Sequence, residues 1–384
     1  MRRQTGEYEV STIGGEEVRA FIPYPLPPRA PQLALDEKLK KALANAREKL
    51  SLLELAGDLV PSVEWFVYAF VRKEAVLSAQ IEGTQTTLME LLQAEASGDV
   101  PEDAEVAEVC GYVDALNYSW NQLEARDGIP ISMRLLSETH RLLLCGGRGR
   151  HKLPGAIRRS QNWIGGTRPG NANFVPPPPH RLGLLLSEFE HAIHDASELH
   201  PLVRVGLLHV QFETLHPYLD GNGRVGRLLI ALLLRHWGLL SRPVLYLSHF
   251  FKMHRREYYA RLDAVRREGD WEGWLAFFLE GVGAVADEAV ALARRLHAAI
   301  EEGRTQILGR PDATVLALRL FEQLPRHPIL TVSGVVELLG CSRPAAAKAV
   351  RALEAAQVLR AWDDRKKNRT VAFSDYLALL RQNM

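Results

Sequence analysis

Residues His216 to Arg227 read His-Pro-Tyr-Leu-Asp-Gly-Asn-Gly-Arg-Val-Gly-Arg, and this segment brings several chemically useful side chains together. His216, with an ordinary pKa of about 6.5, can accept a proton at neutral pH. Asp220 offers a carboxylate oxygen, a type of ligand that Mg²⁺ prefers. Gly221 and Gly223 permit backbone conformations closed to other residues, so their N–H groups can form a nest for an anion.

Arg224 and Arg227 complete the segment. They stand three residues apart, so they share one face of the helix that is predicted to start here. The N-terminus of a helix attracts anions, and two guanidiniums beside it favour a polyphosphate. A base, a metal ligand, a phosphate cradle and positive clamps are the parts that phosphoryl or nucleotidyl transfer requires. The competing interpretation is an ordinary helix corner, and the combination of all these parts in one short segment argues against it.

Helical periodicity surrounds this segment. Apolar residues recur at helical spacing from Leu39 through Leu43, Ala46 and Leu50. Further helices are predicted from Pro61 through Ser78 and over about 104–124, 132–144, 180–196, 201–214, 224–237, 254–267 and 271–304. Pro217 disfavours the α conformation of His216, so the helix before the reactive segment is predicted to end there. The predicted fold class is mainly α.

Two segments are predicted to be non-helical. Residues 1–35 are predicted to form an extended arm, because prolines between 23 and 28 fix φ and remove N–H donors. Between 146 and 179, the apolar pairs Trp163-Ile164 and Phe174-Val175 flank a turn rich in Gly and Asn. This pattern predicts a short β-hairpin, and such a loop on a rigid scaffold is often a functional flap. A simple connector is the alternative.

The C-terminal part has a different pattern. A boundary is predicted at 309–311, followed by a short helix near 333–339 and a second helix over 343–356. A hairpin follows, made of an apolar pair, a polar turn over 363–368 and an apolar segment over 370–373. This order is typical of a winged helix-turn-helix domain. The basic residues that are predicted to contact DNA phosphates are Arg343, Lys348, Arg351, Arg365, Lys366 and Lys367. A domain of this kind could equally serve in dimerisation or in docking of the target protein, instead of binding DNA.

Composition excludes several classes of protein. The chain has 384 residues, 47 Lys plus Arg against 46 Asp plus Glu, 47% hydrophobic and 24% charged residues. Such values are typical of an ordinary globular protein, and the net charge of +1 argues against a chain-wide nucleic-acid or membrane coat. Three distant cysteines indicate neither a disulfide framework nor a zinc site. With no signal-peptide pattern and no long apolar stretch, we expect a cytoplasmic protein without a membrane partner.

The segment 216–227 resembles the signature of the Fic-domain family, His-x-Phe-x-(Asp/Glu)-Gly-Asn-Gly-Arg-x-x-Arg, with Tyr218 where Phe is usual. The proline-rich arm and the stretches 161–166 and 174–178 are similar to the same family, so the resemblance covers nearly the whole chain. It implies a Fic-type helical core with a short β-hairpin flap and a C-terminal winged helix. The implied division is a helical N-terminal region over 1–110, a catalytic core over 111–308 and a winged helix over 309–384.

The resemblance also implies an activity, the transfer of AMP from ATP to a Ser, Thr or Tyr hydroxyl of a target protein. His216 would deprotonate the hydroxyl, and Asp220 would hold Mg²⁺ on the phosphates. The Asn222 side chain would join backbone groups in a cradle for the α-phosphate, and Arg227 would reach the γ-phosphate. The nucleotide-binding residues that it implies are Gly221, Asn222, Gly223, Arg224, Arg227, Tyr258 and Tyr259. Adjacent tyrosines on a helix cannot face the same way, so one of this pair could belong to the core.

The same resemblance assigns the flap and an inhibitory motif. The flap residues that would align the target by main-chain pairing are Asn162, Trp163, Ile164, Gly165 and Gly166. Ser78, Glu82 and Gly83 resemble the family's inhibitory pattern, (Ser/Thr)-x-x-x-Glu-(Gly/Asn). Ser78 and Glu82 share a helix face, and Gly83 can end that helix. Glu82 would pair with Arg227 and occupy the guanidinium that the γ-phosphate needs.

Several alternatives stay open at this point. Glu82 could instead position a water molecule for AMP removal, or the enzyme could transfer another phosphate-containing group. The chain could also be a DNA-binding regulator whose core only senses a nucleotide. The target could be the chain itself, and a homodimer is compatible with the sequence.

Overall fold

The computed structural model describes residues 3–58, 63–98, 101–362 and 369–382. Its helices are α1 (Glu37–Asp58), α2 (Val63–Ile81), α3 (Leu88–Ser97), α4 (Ala104–Glu124), α5 (Met133–Leu144), α6 (Pro179–His194), α7 (Pro201–Leu215), α8 (Asn222–His236), α9 (Ser248–Met253), α10 (Arg255–Glu268), α11 (Trp271–Leu308), α12 (Val315–Gln323), α13 (Val332–Leu339), α14 (Arg343–Ala355) and α15 (Ser374–Arg381). Its strands are β1 (Gly6–Ile13), β2 (Glu16–Pro23), β3 (Ile329–Thr331), β4 (Arg360–Ala361) and β5 (Thr370–Ala372). The predicted mainly α fold class is confirmed.

The centre of the fold is the pair α7 and α8, which pack against each other. The side chains of α7 are buried along most of its length, from Leu202 to Leu215. α8 buries a continuous apolar face against α4 and α5, and α1 lies along α11 on the other side. The loop that carries His216 to Gly221 therefore joins two helices that are fixed on several sides. As Pro217 predicts, α7 ends at Leu215.

The N-terminal segment corrects one prediction. Where an extended arm is predicted over 1–35, β1 and β2 form an antiparallel hairpin, with Gly6 opposite Pro23 and Ile13 opposite Glu16. Gly14 and Gly15 make its turn with φ of +60° and +85°, the geometry that glycine favours in a two-residue hairpin loop. The Gly14-Gly15 pair is the sequence feature that could have predicted this hairpin.

The predicted flap hairpin has less strand pairing than the sequence pattern suggests. Ile164 and Phe174 form one antiparallel bridge, in which each N–H donates to the other carbonyl at 2.8 and 3.1 Å. A 3₁₀ turn over Pro169–Asn171 lies between them. Prolines 176–179 lack N–H donors, which explains why pairing does not extend further along this side.

In the C-terminal part, α13 and α14 are joined through Gly340 and followed by the paired strands β4 and β5. The three strands lie in the order β3-β5-β4. The short elements α12, α15 and β3 are absent from the predicted order, as are α3 and α9 elsewhere. The winged-helix assignment and the three-part division stay predictions. Arg365, Lys366 and Lys367, like the predicted helix start at 61–62, lie outside the described residues.

Candidate active site

His216 caps the C-terminal end of α7 in a left-handed conformation, with φ of +49° and ψ of 59°. Its carbonyl oxygen accepts a hydrogen bond of 2.8 Å from Nε of Arg158. Nδ1 of the imidazole lies 3.4 Å from the carbonyl oxygen of Glu213, which can only accept. The proton therefore belongs on Nδ1, and Nε2 keeps a lone pair for proton transfer.

Burial lowers the pKa of His216 to about 4, and the positive charge of Arg158 acts in the same direction. The imidazole is therefore neutral at physiological pH. A neutral imidazole with a free Nε2 is the form that a general base requires.

Asp220 lies at the turn into α8 with a partly exposed side chain. Its Oδ1 accepts from the N–H of Gly221 at 2.6 Å and from Nη2 of Arg224 at 3.4 Å. Among the described residues, no group of three or more acidic, His or Cys side chains could hold a metal ion. A single accessible carboxylate fits Mg²⁺, which takes one or two protein ligands and completes its shell with water and phosphate oxygens.

The N-terminus of α8 forms the floor of the site. Gly221 has φ of +76° at the N-cap, and the first helical N–H groups, from Asn222 onward, have no intrahelical acceptor. The Asn222 side chain is buried and closes the loop, since Oδ1 accepts from the Tyr218 N–H at 2.9 Å and Nδ2 donates to the Tyr218 carbonyl at 2.8 Å. In this arrangement the cradle consists of backbone N–H groups, with the Asn222 amide holding them in place.

Tyr218 fills the core beneath the loop, and its hydroxyl lies 3.3 Å from Oγ of Ser137. The ring stacks on His140 at a centroid distance of 3.8 Å. Nδ1 of His140 accepts from the Gly155 N–H at 2.9 Å, so Nε2 carries the proton and donates to the Asp220 carbonyl at 3.0 Å. His140 is a supporting residue that the sequence did not reveal, because it lies far away along the chain.

Arg224 is buried and fixed by a second carboxylate. Its Nη1 donates to Oε1 of Glu108 on α4, and Glu108 is itself buried. Arg148 approaches the other Glu108 oxygen at 3.5 Å. Glu108 stands 116 residues from Arg224, so no local spacing could have indicated it. The guanidinium is thereby held in one orientation at the edge of the site.

Arg227 is held by the end of α2. Its Nη2 donates to Oε1 of Glu82 at 2.7 Å and to the carbonyl of Ser78 at 2.9 Å, and its Nε donates to Oγ of Ser78 at 2.9 Å. Gly223 permits this approach, because a Cβ there would collide with the Glu82 carboxylate. Gly83 follows with φ of +99° and ends the turn. The structure thus brings two residues of the inhibitory pattern, Ser78 and Glu82, to Arg227, and the third, Gly83, ends the turn that carries them.

The side chains of the adjacent Tyr258 and Tyr259 lie in different environments. Tyr258 is buried in the core, where its hydroxyl bonds to Nε2 of His209 at 2.9 Å. Tyr259 is 41% exposed on the outer face of α10, so it is the member of the pair that a bound molecule could reach directly.

The flap borders the cleft through its first residues. Nδ2 of Asn162 donates to the Tyr218 carbonyl at 3.2 Å, and the Trp163 side chain is 38% exposed. Ile164 makes the bridge to Phe174, and Gly165 and Gly166 turn the chain with positive φ. The cleft has a volume of about 160 Å³, and its lining residues are Glu82, Asn162, Trp163, His216, Leu219, Asp220, Gly221, Asn222, Gly223 and Arg224.

The predicted DNA-contacting residues of the second C-terminal helix lie elsewhere. Arg343, Lys348 and Arg351 are exposed on α14 and do not line this cleft. No helix in the described ranges combines the length and the apolar character needed to cross a bilayer.

Two segments of the chain match models of one protein family. Residues 40–121 match the model of the Fic/DOC family N-terminal domain, and residues 130–234 match the model of the Fic/DOC family. The protein adenylyltransferase Fic of Drosophila grimshawi is 30% identical over 254 residues, which are 64% of this chain and 48% of that protein. Its counterpart from Drosophila melanogaster is 29% identical over 255 residues, 64% of this chain and 47% of that one. The chain thus spans about half the length of these curated relatives.

Solved structures show the same fold. A Fic family protein from Desulfovibrio desulfuricans has a TM-score of 0.56 at 20% identity, over 89% of this chain and 97% of that one. Fic-1 of C. elegans has a TM-score of 0.53 at 22% identity, over 67% of this chain and 73% of that one. The two family models match the helices that build the cleft, α2, α4, α5, α7 and α8, and the reactive loop between the last two. The chain belongs to the Fic/DOC family.

Proposed function

We propose that the protein is a self-inhibited protein adenylyltransferase, which transfers AMP from ATP to a Ser, Thr or Tyr hydroxyl of a target protein. The observation that carries the proposal is one cleft lined by His216, Asp220, Arg224 and the first turn of α8. The activity in the names of the Drosophila relatives agrees with this chemistry.

In the proposed reaction, the target hydroxyl oxygen bonds to the α-phosphorus of ATP. The bond from that phosphorus to the oxygen bridging to the β-phosphorus breaks, and pyrophosphate leaves with the electron pair. Nε2 of His216 takes the hydroxyl proton. Since the pKa of His216 is about 4, this nitrogen is free to accept it at neutral pH.

The phosphates would lie against the N-terminus of α8, where unpaired N–H groups and the helix dipole favour negative charge. Arg224, fixed by Glu108, would contact the phosphate chain without first reorganising. Asp220 would hold Mg²⁺, which neutralises phosphate charge when it is bound. The flap residues 162–166 would align the target segment.

Glu82 would supply the self-inhibition. Its carboxylate lines the cleft and occupies Nη2 of Arg227, the guanidinium proposed to reach the γ-phosphate. A γ-phosphate in this place meets a negative charge instead of a free cation. ATP bound beside Glu82 would therefore miss the in-line geometry that transfer needs.

The test is intact-mass analysis of the full chain carrying Glu82→Gly, incubated with ATP and Mg²⁺ alone and with cell lysate. We expect a mass increase equal to AMP on the chain or on lysate proteins, and no increase when His216→Ala is added. Glu268→Gly is the matched control, because Glu268 is also an exposed glutamate before a left-handed glycine but does not line the cleft. It should behave like the wild type.

The same spectra separate the alternatives. A mass increase equal to one phosphate group would show that the protein transfers phosphate instead of AMP. No modification by the Glu82→Gly protein, together with loss of AMP from a premodified target that is incubated with the wild type, would assign AMP removal. No modification in either direction would support a nucleotide-sensing regulator.

DNA binding by the C-terminal part is a second candidate function, favoured by the exposed basic face of α14. Arg343, Lys348 and Arg351 fall on one side of that helix. We expect duplex DNA binding that weakens with salt. Changing all three residues to Gln should make the negative slope of log affinity against log salt shallower, by about 0.9 for each phosphate that the protein no longer neutralises. Lys41→Gln, an exposed change on α1, serves as the control. Salt-independent or absent binding by the unaltered chain would leave dimerisation or target docking as the role.

A further inference from the structure

Arg158 lies behind His216 as a buried cation. Its side chain is 2% exposed, and its guanidinium donates to the carbonyl oxygens of His216 and Leu215 at 2.8 and 3.4 Å. It also donates to the carbonyls of Ser160, at 3.2 Å, and Pro177. Every acceptor that it contacts in the described part of the chain is a main-chain carbonyl. Such a cation is held by dipoles alone, which is unusual for a buried arginine.

These contacts join three segments at one point. The carbonyls of 215 and 216 belong to the end of α7, that of 160 precedes the flap, and that of 177 follows it. The main-chain N–H of Arg158 adds a bond of 2.9 Å to the carbonyl of Pro217. Arg158 therefore fixes both ends of the flap to the turn that carries His216.

His216 needs such support because of its backbone conformation. A φ of +49° is uncommon for a residue with a Cβ, and Pro217 disfavours the right-handed alternative. In this turn Nδ1 faces the Glu213 carbonyl at 3.4 Å, which leaves the lone pair on Nε2. If the turn relaxed, the tautomer and the direction of the ring would no longer be fixed.

We propose that Arg158 is a positioning residue for His216, which bonds the carbonyls at the end of α7 and so holds the left-handed turn that sets the tautomer of the imidazole. The inference rests on the proposed role of His216 as the base.

The charges around His216 give this role a second readout. Arg158 and Arg266 both lower the pKa of His216, Glu82 raises it, and burial lowers it most. Removing the positive charge of Arg158 should therefore raise the pKa of His216, whereas a lysine at this position should keep most of the effect.

The test compares Arg158→Met, Arg158→Lys and the matched control Arg159→Met in the full chain. Arg159 is the adjacent arginine, and its side chain is exposed. Nitrogen-15 NMR of the histidine rings, with His216 identified through a His216→Gln protein, reports its tautomer and its titration without any need for activity. In a Glu82→Gly background, AMP transfer then gives kcat, KM for ATP and their pH dependence.

We expect Arg158→Met to raise the titration midpoint of His216 by about 1 pH unit, to mix its tautomers and to lower kcat about tenfold or more with little change in KM. In the Arg158→Lys protein, His216 should keep its titration midpoint but lose its single tautomer, and kcat should fall less than in Arg158→Met. Arg159→Met should match its parent.

An unchanged tautomer and midpoint in folded Arg158→Met protein would overturn the inference, as would a fall in kcat with an unmoved acidic limb of the pH profile. If the Arg158→Met protein does not fold, the tautomer of His216 in the Arg158→Lys protein decides whether Arg158 positions the imidazole. If the Glu82→Gly parent shows no AMP transfer, the proposed function fails, and the NMR result still decides the positioning role.

Discussion

At the scale of single residues, two arginines of the site are paired with carboxylates, whereas Arg158 and Glu213 are buried without a charged partner among the described contacts. Arg227 faces Glu82, and Arg224 faces Glu108. Glu213, one turn before His216, is buried, and its Oε1 has no hydrogen-bond partner among the described residues. Burial raises the pKa of Glu213 to about 7, with Arg227 opposing and Glu82 reinforcing the shift. The free energy of unfolding should therefore change with pH as this carboxyl titrates.

We predict that the wild type loses free energy of unfolding relative to Glu213→Gln as pH rises from about 4.5 to 7. The sign follows from the raised pKa, because the unfolded chain releases this proton near 4.5 and the folded chain holds it up to about 7. The change over this window should be about 3 kcal/mol. Urea unfolding of both proteins across this range measures it.

The control for this prediction is Glu268→Gln, at an exposed glutamate outside the cleft. Its stability difference from the wild type should stay nearly constant with pH. A constant difference for Glu213→Gln as well would show that Glu213 titrates normally in the folded protein.

Residues of the site could be predicted where they are contiguous. His216, Asp220 and Arg224 stand in one segment whose spacing already indicates a phosphate site, and the structure places all three along one cleft. Glu108 and Arg158 could not be predicted, because each reaches the loop from an element distant in sequence. The direction of the Asn222 side chain, which bonds Tyr218, likewise depends on how the loop folds.

At the scale of elements, the long helices were predictable, as was the short α13, whereas the short helices α3, α9, α12 and α15 were not. α4, α5 and α7 carry enough apolar repeats to define their period, and their observed bounds agree closely with the predicted ones. The helices α9 and α15 have only six and eight residues, about two turns each, too few to show a period. The hairpin β1–β2 was hidden by the prolines that follow it.

The hairpin β1–β2 is attached to the core through Arg3. Its guanidinium makes two bonds of 2.7 Å to the Glu272 carboxylate on α11 and donates to the carbonyl of Gly269. On β2, the Phe21 N–H donates to the Val175 carbonyl at 2.9 Å, so the hairpin also supports the segment after the flap.

We predict that Arg3→Ala lowers the free energy of unfolding by about 3 kcal/mol, because it leaves Glu272 without its bidentate partner. Arg19→Ala, at an exposed arginine on β2 above Tyr8, should cost less than about 1 kcal/mol. Urea denaturation of the two variants measures both values. Equal costs would show that the Arg3 contacts add nothing to the attachment of the hairpin.

At the scale of the whole molecule, the net charge of +1 conceals a local arrangement. The positive charges nearest the cleft, Arg224 and Arg227, are each balanced by an acidic residue from another helix. α4 supplies Glu108, which fixes its arginine, and the end of α2 supplies Glu82, whose carboxylate enters the cleft. In the proposed function, the first arrangement would prepare a phosphate site, and the second would block one.

The most direct measurement of this central claim is the rate of AMP incorporation by the wild type and by Glu82→Gly, at equal ATP and Mg²⁺. Removal of Glu82 frees Arg227 for the γ-phosphate, so we expect the rate to rise at least about tenfold. The rise should vanish when His216→Ala is added. Equal rates for the wild type and Glu82→Gly would contradict the claim that the Glu82–Arg227 pair restrains the enzyme.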